Sequence, residues 1–193
     1  MTLLPRYRCM VTAVVLSLLL PLTASALCPC NTSSNYAYLM DFYSTTTGWV
    51  NQDGWGDPLV AICDWHGIGC SGTHVTSIIL QSNGISGSLP PSWSSMTQLQ
   101  RLGLNSNSLT GTLPLSWSSM TQLQLLYLYS NNLTGTLPPS WSSMTQLQQL
   151  GLNSNSLTGT LPLSWSSMTQ LQRLALYSNS LTGTLPPSWS NMT

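Results

Sequence analysis

One pattern restricts the folds open to this chain: a unit of 24 residues occurs five times in succession. The 22-residue stretch from Gly103 to Gln124 even returns, letter for letter, from Gly151 to Gln172. A fixed period of this length indicates a stack of similar structural units, each in contact with its neighbours. The period is marked by Trp93, Trp117, Trp141, Trp165 and Trp189, by Asn83, Asn107, Asn131, Asn155 and Asn179, and by Gly87, Gly111, Gly135, Gly159 and Gly183.

Each position of the unit has a physical reason, which the unit beginning at Leu99 illustrates. Leu99, Leu102 and Leu104 alternate as the inward residues of a short strand do. We expect Asn107 to end that strand with an amide that bonds backbone groups of adjacent coils, so that successive asparagines form a ladder. One coil cannot bury its apolar face alone, whereas stacked coils share a continuous interior. The return side of the unit fills that interior with Leu109, Leu113, Trp117 and Met120, and Gly111 allows close backbone approach.

The pattern L-x-x-L-x-L-x-x-N-x-L-x-G-x-L-P resembles the plant-type class of leucine-rich repeats. Stretches such as TGTLPPSWSSM, with Trp and Met where plant repeats usually carry Leu, also resemble the leucine-rich repeat surface antigens of kinetoplastid protists. The resemblance implies an α/β solenoid that is curved, with short parallel strands on its concave face and irregular, second-strand or 3-10 returns on its convex side. The five repeats occupy residues 75–193, the last one incomplete, and begin at Val75, Leu99, Leu123, Leu147 and Leu171.

Residues 1–26 have the pattern of a secretory signal peptide. Arg6 and Arg8 precede the apolar run Met10–Leu22, and Ala24 and Ala26 occupy the small positions of a cleavage site. An uncleaved anchor is the alternative, although this run is short for a bilayer span. We therefore expect an extracellular protein, secreted or held at the cell surface.

Residues 27–74 resemble the N-terminal cap of the plant class, with a short amphipathic helix over NYAYLMDFY and a closing loop CDWHGIGC. Secretion implies an oxidising compartment in which cysteines pair. Cys63 and Cys70 bracket a loop that one disulfide would close. Cys28 and Cys30 stay open between pairing with each other and pairing with a second chain, and no cluster of His or Cys supports a metal site there.

Three N-x-S/T sequons permit N-linked glycosylation in a eukaryotic secretory pathway, so we expect a glycoprotein. They lie at Asn31, Asn132 and Asn191.

Charge is scarce, since charged residues make up 4% of the chain against the usual quarter of soluble proteins. Residues 75–193 contain no Asp, Glu, His, Lys or Cys, so they lack a group that titrates near neutrality for acid–base catalysis and a partner base for a nucleophilic serine. His66 and His74 are scattered in the cap region and are interpreted as structural. We expect no enzymatic activity, no cofactor and no metal, and the basic footprint of a nucleic-acid binder is missing.

The outward residues of the concave strands are the candidate binding surface, because they vary between copies while the interior stays constant. Tyr and Arg are the residue types enriched at binding hot spots. The alternative is that these residues merely occupy solvent-facing strand positions. The strand columns read Ser77, Arg101, Leu125, Gln149, Arg173, then Ile79, Gly103, Tyr127, Gly151, Ala175, then Gln81, Asn105, Tyr129, Asn153, Tyr177. The predicted site consists of Arg101, Leu125, Tyr127, Tyr129, Arg173 and Tyr177.

The function predicted is binding of a protein, peptide or glycan by the concave face of a secreted or surface antigen. Two alternatives are a secreted inhibitor of cell-wall hydrolases and a truncated receptor ectodomain. The chain ends within the fifth unit, at Thr193, which leaves apolar side chains at an uncapped end. We expect that end to be covered by self-association, unless the chain is a fragment of a longer array. After signal removal no transmembrane span is expected.

Overall fold

The computed structural model describes residues 34–191, and the predicted signal, Cys28, Cys30 and Asn31 lie outside them. Helix α1 spans Ser34–Thr45, which confirms the helix expected in the cap. The strands are β1 Ile68–Ser71, β2 His74–Ile79, β3 Ser86–Ser88, β4 Arg101–Gly103, β5 Ser108–Thr110, β6 Leu125–Tyr127, β7 Thr134–Thr136, β8 Gln149–Gly151, β9 Ser156–Thr160, β10 Arg173–Ala175 and β11 Ser180–Thr182. The 3-10 turns are Ile62–Asp64, Pro91–Ser95, Leu115–Ser119, Pro139–Ser143, Leu163–Ser167 and Pro187–Asn191.

Each coil contributes one strand to a main sheet, in the order β1-β2-β4-β6-β8-β10. Strand β1 runs antiparallel to β2, and the other pairs are parallel. A second set of strands forms on the return side, in the orders β11-β9-β7 and β3-β5. Short parallel strands on one side and second strands with 3-10 turns on the other confirm the predicted leucine-rich repeat solenoid. No helix among residues 34–191 has the length and apolarity needed to cross a membrane.

The repeated tryptophans lie in a row along the interior, as predicted. Trp93, Trp117 and Trp141 stack in sequence with ring centroids 6.2–6.3 Å apart, and Trp165 stacks on Trp189 at 6.2 Å. The first four are fully buried. The indole N–H of Trp93 donates to the Tyr38 carbonyl of the cap helix, and each later one donates to a carbonyl of the preceding coil, as Trp141 Nε1 does to Pro114 at 3.0 Å. Tryptophan therefore fills the interior and ties each coil to the one before it.

The asparagine ladder is confirmed as well. Asn131 Oδ1 accepts from the Leu109 amide at 3.0 Å, and its Nδ2 donates to Leu104 and Leu128 carbonyls, each at 3.0 Å. Asn107 and Asn155 make the equivalent bonds in their own coils. The ladder satisfies backbone groups at the bend that follows each strand.

The bend itself uses a feature that the sequence analysis did not predict. A serine adopts a positive φ in every coil, with φ between 52° and 58° at Ser82, Ser106, Ser130, Ser154 and Ser178. This left-handed conformation is uncommon for any residue except glycine and asparagine. The asparagine that follows each serine can then turn its amide into the stack.

The cap closes the first end of the interior. Leu39 and Phe42 of α1 are fully buried, and the Phe42 ring lies 4.7 Å from that of Trp93. Cys63 and Cys70 form the predicted disulfide. The cap also continues the amide ladder, because Asn83 Oδ1 accepts from the Asn51 amide at 2.6 Å.

Candidate functional site

The main sheet brings the predicted concave columns into register. Arg101 pairs with Ser77 on one side and with Leu125 on the other, and Gln149 follows between Leu125 and Arg173. The next column aligns Tyr127 between the two glycines Gly103 and Gly151. The period alone therefore placed neighbouring side chains correctly across five strands.

Two tyrosines of the central coil form the clearest feature of this face. The rings of Tyr127 and Tyr129 meet edge to face, with centroids 5.7 Å apart, and both side chains are partly exposed. A Cβ atom added at Gly151 would lie 3.1 Å from Cδ1 of each ring. The missing side chain of Gly151 thus lets both rings lie down over the neighbouring strand.

Hydrogen bonding holds one of these rings in place. The Tyr127 hydroxyl donates to Oε1 of Gln149, which stands on the adjacent strand. With Gly151 below the rings and Gln149 bonded to Tyr127, the aromatic pair is held in a fixed edge-to-face arrangement. We call Tyr127, Tyr129, Gln149 and Gly151 the tyrosine patch.

The structure gathers part of the predicted site around this patch and separates the rest. Leu125 is half-buried beside it, and exposed Arg101 is directly across from Leu125 on β4. Arg173 stands on β10, three strand spacings from Arg101, or roughly 14 Å. Tyr177 is 68% exposed and follows β10, so it lies two coils from its equivalent Tyr129.

Two residues of the third column differ from the expected solvent-facing position. Asn105 is 4% exposed and Asn153 is 8% exposed. Each has Tyr129 as a neighbour in the next coil, since the Tyr129 and Asn153 carbonyls accept from Ser106 and Ser130. A short amide flanked by longer side chains is covered by them, and Asn105 Oδ1 is left buried without a hydrogen-bond partner.

The few charged side chains separate by sign between the repeats, which carry arginines, and the cap region, which carries aspartates. Arg101 and Arg173 are the only charged residues of 75–193, and both stand exposed on the main sheet. The four aspartates all belong to the cap region, at Asp41, Asp53, Asp57 and Asp64. The concave face is therefore neutral to weakly positive along its whole length.

Other predicted sites fall elsewhere in the fold. Among residues 34–191 no three His, Cys, Asp or Glu side chains cluster in a way that would hold a metal ion. Asn132 is exposed at the start of the return side, which leaves its sequon accessible. The side chain of Asn191 lies beyond those the structure describes, so that glycosylation site stays a prediction.

One exposed surface on the return side was not among the predicted sites. Every coil after the first carries the tripeptide Thr-Gly-Thr, and both threonines of each are exposed. In the sequence this surface is marked by the Thr-x-Thr alternation within each unit. A role was predicted only for the glycine at its centre.

Comparison with known proteins supports the architecture. The sequence matches the leucine-rich repeat family over residues 73–133, 146–168 and 170–192, together more than half of the chain. No match was found among curated protein sequences. A structure of the BIR3–SERK2 complex from Arabidopsis thaliana is similar, with 28% identity, a TM-score of 0.72, and coverage of 80% of this chain and 87% of that one.

Two further solved structures resemble the chain over only part of their own length. The ectodomain of the Arabidopsis thaliana receptor kinase GASSHO1/SCHENGEN3, in complex with CASPARIAN STRIP INTEGRITY FACTOR 2, is 30% identical with a TM-score of 0.72, over 80% of this chain and 19% of that one. A plant ice-binding protein is 28% identical with a TM-score of 0.75, over 81% of this chain and 51% of that one. With the repeat geometry and these matches together, the chain belongs to the leucine-rich repeat family.

Proposed function

We propose that the protein is an extracellular binding module that holds an extended peptide, or a protein segment in extended form, against its concave face. The observation that carries the proposal is the tyrosine patch, a fixed aromatic pair at the centre of the main sheet. Rigid tyrosines offer a large contact area at a low cost in conformational entropy. The similar BIR3–SERK2 and GASSHO1/SCHENGEN3 structures are complexes, which favours a binding role for the same fold here.

The size of the face favours a peptide over a large globular partner. The face spans five coils about 4.8 Å apart and, from the first column to the third, five residues or some 17 Å of chain, which is roughly 400 Å² in projection. A standard protein interface takes about 800 Å² from each partner. A peptide lying across the strands matches the smaller area, and a protein partner would bind weakly unless several copies act together.

Charge narrows the class of ligand further. Arg101 and Arg173 flank the tyrosine patch, and the concave face has no acidic side chain to neutralise them. A partner with carboxylates on either side of an aromatic or apolar residue would complement this arrangement. Arginine recognises carboxylates through paired hydrogen bonds, so binding should weaken as the salt concentration rises.

The predicted signal peptide supports secretion, and the likeness to receptor ectodomains supports an extracellular position. We propose a secreted or surface antigen as the biological setting, in line with the resemblance of the Trp- and Met-containing repeats to kinetoplastid surface proteins. An inhibitor of hydrolases and a receptor ectodomain remain the alternatives. Loss of a hydrolase's activity on mixing would favour the first, and a longer transcript would favour the second.

The proposal is tested by selecting a displayed library of random peptides on the immobilised protein. Peptides that bind the wild type and fail to bind the double variant Tyr127→Ala, Tyr129→Ala are the expected result. Leu163→Ala is the matched control, because Leu163 is 67% exposed on the opposite side of the coil. Selected peptides that bind all three proteins equally, or no selection at all, would refute the proposed site.

A second candidate function is supported by a different observation. One whole face of the return side exposes serine and threonine without any charge, and the fold resembles that of a plant ice-binding protein. We propose ice binding as this second function. Its test is the freezing behaviour of the unmodified protein, and an ordinary freezing point with unshaped crystals would exclude it.

A further inference from the structure

The return side of the solenoid carries a surface of uniform chemistry, which we call the flank face. It comprises the outward residues of β5, β7, β9 and β11 and of the positions that continue these strands. Each of these residues is exposed, and each is a serine or a threonine except Asn132, which holds the position of Ser108, Ser156 and Ser180 in its coil. The flank face consists of Ser108, Thr110, Thr112, Asn132, Thr134, Thr136, Ser156, Thr158, Thr160, Ser180 and Thr182.

The strands arrange these hydroxyls in two directions. Along a strand, Thr158 and Thr160 are both exposed, with Gly159 between them. Across strands, spaced about 4.8 Å apart, Thr136 pairs with Thr158 and Thr160 pairs with Thr182. A bridge between Thr112 and Thr134 extends the array toward the cap. Serines continue the array, since Thr134 pairs with Ser156 and Thr158 with Ser180. The result is a two-dimensional array of threonine and serine side chains.

Hydrogen bonds to the preceding coil hold the first threonine of each tripeptide. Thr134 Oγ1 donates to the Gly111 carbonyl at 3.3 Å, and Thr158 Oγ1 donates to the Gly135 carbonyl at 3.3 Å. Thr182 repeats the bond in the next coil, at the same distance. A donor engaged in this way fixes the rotamer and leaves the oxygen lone pairs directed to solvent.

Close packing holds the second threonine. The glycines of the tripeptide have φ near 80°, and a Cβ atom added at Gly135 would lie 2.9 Å from Cγ2 of Thr112. The equivalent distance from Gly159 to Thr136 Cγ2 is 3.0 Å. Each threonine methyl therefore lies against the bare backbone of the following coil. Both threonines of the tripeptide are thus ordered before any ligand arrives.

A rigid, uncharged grid of alternating hydroxyl and methyl groups fits a ligand that is itself periodic in two dimensions. Proteins and peptides rarely present identical groups at two fixed spacings, and a free small molecule would contact only one or two threonines. A face of an ice crystal is such a ligand, because its water oxygens repeat in two dimensions. Ordered first-shell water can bridge polar groups at little cost in entropy when the groups already stand in position.

We infer that the flank face is an ice-binding site, with the threonines of β7, β9 and β11 at its centre. The inference rests on the second proposed function and adds the site to it. No charged side chain belongs to the flank face, so nothing there orients liquid water in a competing pattern. Glycosylation at Asn132, on the edge of the face, would cover part of the grid.

The test measures thermal hysteresis and the shape of single ice crystals with protein that carries no glycan at Asn132. Thr158→Lys places a long, charged side chain at the centre of the grid, and Thr136→Lys places one on the adjacent strand. Thr169→Lys is the matched control, because Thr169 is exposed in the turn that follows Leu163–Ser167, away from the flank face. Urea unfolding of each variant verifies that the fold is intact.

The expected result is thermal hysteresis and faceted crystals with the wild type and with Thr169→Lys, and loss of both with either flank variant. Thermal hysteresis retained in both flank variants would overturn the flank face as the site, and another face of the protein would then be the one that binds ice. Equal loss in the control would overturn the site as well, since the effect would then come from added charge alone. A wild type without thermal hysteresis would overturn both the site and the function on which it rests.

Discussion

Replacing Trp141 with alanine tests whether the coils share one interior. Trp141 is fully buried, stacks on Trp117 with centroids 6.2 Å apart, and donates its indole N–H to the Pro114 carbonyl. Removing a buried aromatic side chain costs about 3–5 kcal/mol. The Pro114 carbonyl keeps its bond from the Trp117 amide, so its loss of the indole adds only about 1 kcal/mol. We expect a loss of about 4–6 kcal/mol in the free energy of unfolding.

The assay is urea unfolding followed by tryptophan fluorescence and circular dichroism. With a slope near 2 kcal/mol per molar urea, the midpoint should fall by roughly 2–3 M. Trp141→Phe separates the two contributions, because it keeps an aromatic ring and removes the N–H donor, and should cost about 1–2 kcal/mol. Trp189→Ala is the control, since Trp189 is only partly buried against the stack. An equal cost at Trp141 and Trp189 would refute a continuous interior, because burial by coils on both sides would then contribute nothing.

Three further changes test other parts of the fold. Asn131→Ala should lower the free energy of unfolding in urea by about 2–4 kcal/mol, because its side-chain amide hydrogen-bonds backbone groups of Leu109, Leu104 and Leu128. Asn132→Ala, at an exposed neighbouring position, should be close to neutral. Replacing Cys63 and Cys70 together with serine should cost about 2–3 kcal/mol by loss of loop closure, and equal stability with and without reductant would contradict this. In the same urea unfolding, Gly135→Ala should cost more than the about 1–2 kcal/mol of a left-handed backbone alone, since its Cβ meets Thr112. Gly72→Ala, which has positive φ and open space around its Cβ, should show only the backbone cost.

Residues whose role depends on the period were predictable from the sequence. The interior position of Trp117, the ladder amide of Asn131 and the alignment of Arg101 with Leu125 all follow from equivalent positions in stacked coils. The disulfide was predictable too, since the loop between Cys63 and Cys70 is short. In each case the local sequence pattern is compatible with only one fold that buries its apolar side chains and pairs its polar groups.

Features that depend on side-chain size across neighbouring strands were not predictable. Asn105 was expected to face solvent and is buried, because exposure on a sheet depends on the length of the side chains beside it. The sequence also did not determine the register in which the strands of the flank face pair. Thr136 pairs with Thr158, 22 residues on, although the unit has 24. A shift of two residues leaves every side chain on the same face, so the alternation of Thr and Gly is compatible with either register.

The distribution of variation between coils matches the two proposed kinds of recognition. On the main sheet, equivalent positions change from one coil to the next, with Gly103 followed by Tyr127, Gly151 and Ala175. A surface on which each strand differs suits a ligand whose own residues differ, such as a peptide. On the return side the tripeptide Thr-Gly-Thr is the same in all four later coils. A repeated surface gains from each added copy only when the ligand repeats with it, which a crystal lattice does and a peptide does not. Duplication of whole units, visible in the two identical 22-residue stretches, copies both surfaces at once. Later substitutions such as Tyr127 and Ala175 then distinguish the coils of the main sheet, while Thr-Gly-Thr is unchanged.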